Sequence, residues 1–465
     1  MLRSTTLQRL RPAVFRVQRW NSTTTSAPKP STTHSDIVVV GGGPAGLTIA
    51  AALKHYPETV NKSVTLVEFG SLDNLKTWGP DMERFENRVS SLTPSSVEYL
   101  TKIGVWEHVN RDRVQAYRHM TAWDGVSGSK VQFNTTQLMG EGRDIAYMTE
   151  NFNLQNGLLK QLANKPNLTI LDKTKVEGVE RTPESHNKPL VELSNGSTIS
   201  TDLLIGADGA NSPVRTFSGI EARGWDYNTH GLVATVRLAN EQQSAWQRFL
   251  PTGPIALLPL PNRFGSLVWS TTPKMAAQLK QLTPEQFVMM VNCAFNLEPT
   301  DIEYLVEHPD EIMTDAPYRL SQRSSNPDVP CPIVAVQDKS RASFPLKMKH
   351  ADTYIAENVA LVGDAAHTTH PLAGQGLNMG QGDAQSLAIA IRNAAGRGAD
   401  IGSTLTLEPY WADQYFKNHK LLGVVDKLHK LYSTRNPLVV GLRSLGLDAV
   451  NSVKPVKDFL MSQAS

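Results

Sequence analysis

The segment Gly363–Asn378, GDAAHTTHPLAGQGLN, sets an aspartate, two histidines, a proline and three glycines within sixteen residues. That is too much punctuation for a core helix, and it asks which ligand needs a backbone so free of side chains. A second such stretch lies near the start, DIVVVGGGPAGLTIAAALKH, in which Gly41, Gly43 and Gly46 fill the three positions of GxGxxG. There one glycine permits a tight turn, the second lets the backbone approach a pyrophosphate, and the third lets helix and strand pack closely. The amides that open the helix then face phosphate charge. Further on, SVTLVEFG ends a second strand at Glu68, about twenty residues past the last glycine, where an acid can hold a ribose hydroxyl. Together these features point to an adenine dinucleotide, without separating FAD from NAD.

The elements that must position these residues follow from their flanks. DIVVV reads as a strand ending at about Val40, and a helix opens near Pro44. Two later segments repeat the plan: Leu203–Ile205 runs into Asp208 and Gly209, with Arg215 closing a short helical turn, and Val359–Val362 runs into Gly363 and Asp364. An aspartate after a parallel strand sits where open α/β sheets bind ligands, and it is also a common helix N-cap. Three such strand ends, far apart in the chain, imply one sheet assembled from separated segments. Short alternating runs such as HGLVATVRL, PIALLPLP and FGSLVWST predict an antiparallel sheet elsewhere, and LTPEQFVMMVNCAF predicts a helix capped at Thr283 and Pro284. From Asp383 onward the pattern is helical, with breaks at 396–402 and at Asn436 and Pro437.

The expected fold is therefore α/β, a Rossmann-like dinucleotide-binding domain with an inserted antiparallel sheet domain and a helical C-terminus. The first domain is assigned to 36–120, 148–222 and 340–395, the second to 121–147 and 223–339, and the helical region to 396–465. The chain has 465 residues and a formal net charge of +2, which gives no reason to expect nucleic acid. Cys293 and Cys331 are far apart and form no CxxC, so neither a disulfide framework nor a thiolate metal site is suggested. The longest uncharged run, Ile37–Leu53, carries four glycines and a proline and reads as strand, turn and helix rather than a bilayer span. Residues 1–35 stand apart. Arg3, Arg9, Arg11, Arg16 and Arg19 occur among many Ser and Thr, no acid precedes Asp36, and Leu7, Leu10, Val14 and Val17 share a helical face. This is the character of a mitochondrial transit peptide followed by a flexible linker.

The fingerprint near the start, GADG in the middle and GDAAH late, in that order, resemble the class A FAD-dependent aromatic hydroxylases, with the fold of para-hydroxybenzoate hydroxylase. NRVSSLTPSSVEYLTKIGVWE, TENFNLQNGLL, WQRFLPTGPIALLPLP and HPLAGQGLNMGQGD are similar to the ubiquinone-biosynthesis branch, most of all to its mitochondrial member that hydroxylates the polyprenylated ring. The resemblance implies FAD as cofactor, bound by the first domain, with the second as substrate domain. It implies that Gly41, Gly43 and Gly46 cradle the pyrophosphate and Glu68 the adenosine ribose, that Arg88 and Gln155 contact the cofactor, and that Asp208 lies near the pyrophosphate. Asp364 would bind the ribityl chain. Pro371 and the turn through Gly374, Gly376, Leu377 and Asn378 would lie against the flavin ring, where side chains must be kept clear and amide dipoles aimed at the edge that becomes negative on reduction.

The reaction so implied passes an oxygen atom from a flavin hydroperoxide to the carbon ortho to a ring hydroxyl. No catalytic base is singled out; Tyr147, Tyr227, His230 and Arg263 are all candidates. His367 and His370 are three apart, but no Cys, Glu or further His completes a metal site, and the expected role is packing or support of the residues that touch the ligand; no metal is assigned. The resemblance implies a polyprenylated phenolic substrate, dioxygen, a ferredoxin and its reductase as electron donor, a coenzyme Q biosynthetic complex, and peripheral association with the matrix face of the mitochondrial inner membrane. Three other readings stay open: a hydroxylase of another phenol, a flavin-dependent dehydrogenase or prenyl reductase, and an FAD-containing lipid-binding scaffold subunit.

Overall fold

A computed structural model describes residues 32–135, 144–183, 187–322, 328–369 and 374–452. Residues 1–31 of the expected transit peptide, and His370 and Pro371 of the opening segment, lie outside the described residues.

The first sheet has eight strands, running Ile355–Ala356, Val359–Leu361, Thr198–Gly206, Thr32–Val40, Val64–Val67, Leu168–Leu171, with the pair Val176–Arg181 and Pro189–Leu193 attached to Thr198–Gly206. From Val359–Leu361 to Leu168–Leu171 every pairing is parallel. Parallel strands are covered on both faces, so their residues read as continuous apolar runs rather than alternating ones. Ile37, Val38, Val39, Leu203, Leu204 and Ile205 are all fully buried. Covering helices include Pro44–Leu53, Asn151–Leu162 and Gly376–Gly396, which share one hydrophobic core with the strands.

The second sheet has nine strands, in the order His367–Thr368, Ala342–Ala351, Ala222–Leu238, Phe264–Thr271, Gly253–Leu260, Ser244–Leu250, His119–Asp124, Lys130–Asn134, with Ile333–Val336 beside Ala222–Leu238. All its pairings are antiparallel except that between Ser244–Leu250 and His119–Asp124. The helix Pro284–Asn296 begins at Thr283, which forms a capping box with Gln286, and its apolar face closes a separate core with Trp269 and Leu232. A small sheet of Val89–Leu92, Ala146–Glu150 and Gln115–Tyr117 accompanies the two.

Several of the expected boundaries move, and His119–Met120 and His367–Thr368, assigned to the dinucleotide domain, pair in the second sheet. The linker assigned to 1–35 overruns the first strand, because Thr32–Ser35 pair in register with Thr198–Thr201; their polar composition reads as linker, but Thr32–His34 are exposed and the buried Ser35 hydroxyl donates to the Ile37 carbonyl. Residues 342–351, assigned to the dinucleotide domain, belong to the second sheet, where the seventeen-residue strand Ala222–Leu238 pairs with them. Residues 146–147, assigned to the second domain, start a strand of the small sheet. The C-terminal helices are Gly376–Gly396, Thr404–Tyr432 and Pro437–Ser452. Among the described residues no helix is long and apolar enough to cross a membrane, and both cysteines are free.

Candidate active site

Parallel register places the glycine turns side by side. Val40 is opposite both Val67 and Gly206, and Gly206 is opposite Leu361, so the turns after Val40, Gly206 and Leu361 and the acid after Val67 open at one sheet edge. They floor a cleft of ≈ 810 Å³. Gly41, Gly43, Glu68, Arg88, Asp208, Asp364, Gly374, Gly376 and Leu377 line it, and Phe344 of the second sheet stands in its wall. The cleft therefore lies between the two sheets.

The three glycines do different work. Gly41 has φ +113, and a Cβ there would meet the Ala207 carbonyl oxygen at 2.2 Å. At Gly46 a Cβ would meet the Gly41 carbonyl oxygen at 1.9 Å, so this residue seats the helix on the turn and faces inward. A Cβ on Gly43 would meet nothing within 4 Å; the open space is the cleft.

Charge and dipole at the cleft suit a bound anion. The helices Pro44–Leu53 and Gly376–Gly396 both begin at its wall, and neither has a side-chain cap. Their first amides are left unsatisfied by the helix and carry the positive end of the macrodipole. The Gly42 amide donates to Glu68 Oε2 at 2.5 Å and the Gly70 amide to Oε1 at 2.6 Å, fixing the carboxylate at the rim. Gln155 Nε2 donates to the Gly42 carbonyl at 3.0 Å; Gln155 supports the loop from behind and does not line the cleft.

Asp208 does two jobs. Its Oδ2 accepts the Val214 amide at 2.9 Å, so it helps cap the short helix Pro213–Phe217, while Oδ1 is buried without a partner. Burial pushes this carboxyl above the usual range, against hydrogen bonds from Ser212 and Val214. Asp364 is exposed within the cleft, yet enough protein surrounds it that desolvation raises its pKa, with the charges of His367 and Arg88 opposing.

The Asn378 side chain ties the turn to its neighbours. Its Oδ1 accepts from the Thr93 amide and Ser96 hydroxyl at 3.0 and 2.9 Å, and its Nδ2 donates to the Ser91 carbonyl at 2.8 Å. The side chain fastens the start of the Gly376–Gly396 helix to Ser91, Thr93 and Ser96, leaving the backbone amides of the turn for a ligand. Pro371, expected against the flavin, lies outside the described residues.

A buried network behind Gly363 was not foreseen. Asp383 Oδ2 accepts the Gly363 amide at 2.8 Å and meets His367 Nε2 at 2.6 Å, while Oδ1 accepts from Asn418 Nδ2 at 3.0 Å. Burial alone would depress the His367 pKa, but the Asp383 carboxylate, helped by Asp364, outweighs it and raises it. The His367 Nε2 is thus held by the Asp383 carboxylate. The sequence signal for this network is Asp383 at the end of GQGD rather than the spacing of His367 to His370. Arg113 was missed as well. Fully buried, it donates to both oxygens of Glu150 and to the carbonyls of Asp81 and Arg84, pinning the loop that carries Arg88.

None of the four base candidates lines the cleft. Tyr227 donates to Asp426 at 3.2 Å, and burial, then that carboxylate, raises its pKa. Tyr147 packs edge-on to Trp106 at 6.1 Å. His230 pairs with Thr271 and Pro345 at the end of one ladder and beside the register shift of the other, and Arg263 occupies a left-handed turn residue, φ 60, at a hairpin tip.

The FAD binding domain family matches residues 34–400. The ubiquinone biosynthesis monooxygenase COQ6, mitochondrial, of Saccharomyces cerevisiae is 41% identical over 461 residues, 94% of each chain. The chain belongs to the COQ6 family of FAD-dependent monooxygenases. The human COQ6 monooxygenase is 39% identical, covering 96% of this chain and 95% of its own. Among solved structures, p-nitrophenol 4-monooxygenase PnpA of Pseudomonas putida shares the fold, at TM-score 0.68 and 18% identity over 93% of this chain and 98% of that one. PqsL of Pseudomonas aeruginosa does so at TM-score 0.65 and 21% identity, covering 90% and 100%. FAD is the cofactor, and the uncapped helix starts, the empty space beside Gly43 and the orphaned Asp208 oxygen fit it.

Proposed function

We propose that this COQ6-family chain hydroxylates a polyprenylated 4-hydroxybenzoate-type ring ortho to its hydroxyl, in ubiquinone biosynthesis at the matrix face of the mitochondrial inner membrane. The observation that carries this is the cleft between the sheets, floored by the dinucleotide turns and walled by Phe344, which lets a cofactor and an aromatic ring meet. When bound, FAD supplies the activation of dioxygen and the delivery of one oxygen atom.

The protein's part is to bind, orient and exclude water. Gly41 and Gly43 hold the backbone against the pyrophosphate, and the amides at Pro44–Leu53 face its charge. Glu68 takes the adenosine ribose hydroxyls, while Arg88 and Asp364 take the chain between pyrophosphate and ring. The turn through Gly374, Gly376 and Leu377, which lines the cleft, would hold the flavin ring, its backbone amides offering stabilisation of negative charge. The polyprenylated ring enters from the side of the second sheet, which excludes water from the oxygen transfer. A ferredoxin with its reductase supplies electrons, and the chain works within a coenzyme Q biosynthetic complex.

The test uses the purified flavoprotein, reduced anaerobically and then given labelled dioxygen and a short-tailed 4-hydroxybenzoate. One labelled oxygen ortho to the hydroxyl is expected. Flavin reoxidation with peroxide alone, across ring substituents and with ferredoxin present, would count against it and favour the dehydrogenase or scaffold readings.

A further inference from the structure

Large apolar side chains exposed in number need a reason, because a soluble surface seldom carries them contiguously. In the helix Pro437–Ser452 the leucines Leu438, Leu442 and Leu445 are 79%, 71% and 68% exposed. Their spacing of four and three puts them on one face. The opposite face is held down: Arg443, buried, donates to both oxygens of Asp124 at 2.7 and 2.8 Å and to the Leu431 and Thr434 carbonyls at 2.8 and 3.0 Å. So the leucines are presented outward by a docked helix and are not a frayed end.

The preceding helix repeats the pattern. Val424, Leu428 and Leu431, again spaced by four and three, are exposed near the end of Thr404–Tyr432. Lys420 and Lys427 are exposed on the same side. Trp225, 44% exposed, lies under Lys430, whose ammonium is 4.9 Å from its ring centroid. Of the other lysines and arginines from 416 to 446, Lys417, Lys430, Arg435 and Arg443 pair with Asp413, Asp426, Glu303 and Asp124, so the fringe of this face is Lys420 and Lys427.

Leucine stripes with a lysine fringe and an exposed tryptophan match the makeup of helices that lie in a bilayer interface. Protein interfaces differ in a telling way, since they are depleted in lysine. We infer that the outer faces of 424–431 and 438–445 form a docking surface for an anionic phospholipid membrane, the leucines entering the acyl boundary and the lysines meeting headgroup charge. This rests on the reading of a polyprenylated substrate, because docking there sets the chain at the phase that holds such a tail.

The experiment is sedimentation of the full-length holoprotein with phosphatidylcholine vesicles, with and without phosphatidylglycerol, at low and high salt. Binding to the anionic vesicles, weakened by salt, is expected. The triple change Leu438→Ser, Leu442→Ser, Leu445→Ser should lower that binding by roughly tenfold or more, with flavin content and melting unchanged because the three side chains are exposed. Lys420→Glu with Lys427→Glu should remove the salt-sensitive part, and it serves as a second variant should the serines disturb folding. Equal binding to neutral and anionic vesicles, undiminished binding by the variants, or binding only when another mitochondrial protein is added would overturn the inference. Hydroxylation of a short-tailed soluble ring should persist in both variants; its absence from the unmodified protein would instead count against the proposed function.

Discussion

At the scale of single residues, the glycines of the fingerprint make opposite predictions. Gly46→Ala forces a Cβ to within 1.9 Å of the Gly41 carbonyl oxygen, a backbone clash no rotamer can relieve. We expect loss of roughly 2–3 kcal/mol or more of stability, at the upper end of overpacking costs, and protein purified without flavin. Gly43→Ala meets nothing within 4 Å, so its thermal unfolding without cofactor should match the parent while flavin affinity falls by roughly tenfold, about 1.4 kcal/mol. Visible spectra and melting curves on the same two samples check both. If Gly43→Ala kept full flavin affinity, the space beside that residue would not be the pyrophosphate path. These positions were readable in the sequence because backbone constraints write themselves as glycine at fixed spacing. The side-chain partners of Asn378, namely Thr93, Ser96 and Ser91, were not, since an amide can serve ligand or neighbouring backbone equally well.

At the scale of elements, Asp383 joins the helix Gly376–Gly396 to the turn at Gly363 and to His367. Asp383→Asn removes the charge from a buried pair and should destabilise the holoprotein by roughly 3 kcal/mol. The pH dependence carries a clearer signature. Because the His367 pKa is raised from 6.5, its contribution is full below that value and is lost as pH rises through the raised one. His350 runs the other way. Burial, then the charges of His367 and His419, depress it to about 4, so its contribution is present above 6.5 and lost as pH falls through about 4. Urea unfolding across pH should show declines on both sides of 6.5, and Asp383→Asn should flatten the alkaline one. An unchanged alkaline decline would mean that another group causes it. The parallel strands and their turns were legible in the sequence because each carried a local apolar run and a glycine signal. The strand Ala342–Ala351 was harder to place, since sheet membership is decided by a long-range partner, here Ala222–Leu238, and no local pattern names that partner.

At the scale of the whole molecule, the C-terminal helix crosses back to the second sheet through one buried ion pair. The Arg443 fork and Asp124 are 1% and 0% exposed, and beside them Phe249 stacks on Tyr432 at 4.0 Å. Neither link is written locally, since the two partners of the ion pair stand more than three hundred positions apart in the chain. Arg443→Ala would leave Asp124 buried and unpaired, a loss of roughly 3–5 kcal/mol. That exceeds what the helix Pro437–Ser452 can regain from a contact face narrowed by its outward leucines, so the helix should come away before the sheets unfold. Limited proteolysis should then cut within 433–436 in the variant and not in the parent, while the flavin spectrum stays, because the cleft is built by other elements. Arg443→Lys keeps the charge but not the planar fork, and its cleavage rate should fall between the two. Cleavage at the parent rate in Arg443→Ala would show that the helix is held by its apolar contacts alone, and loss of flavin together with cleavage would show that the C-terminal attachment and the cofactor cleft unfold as one unit.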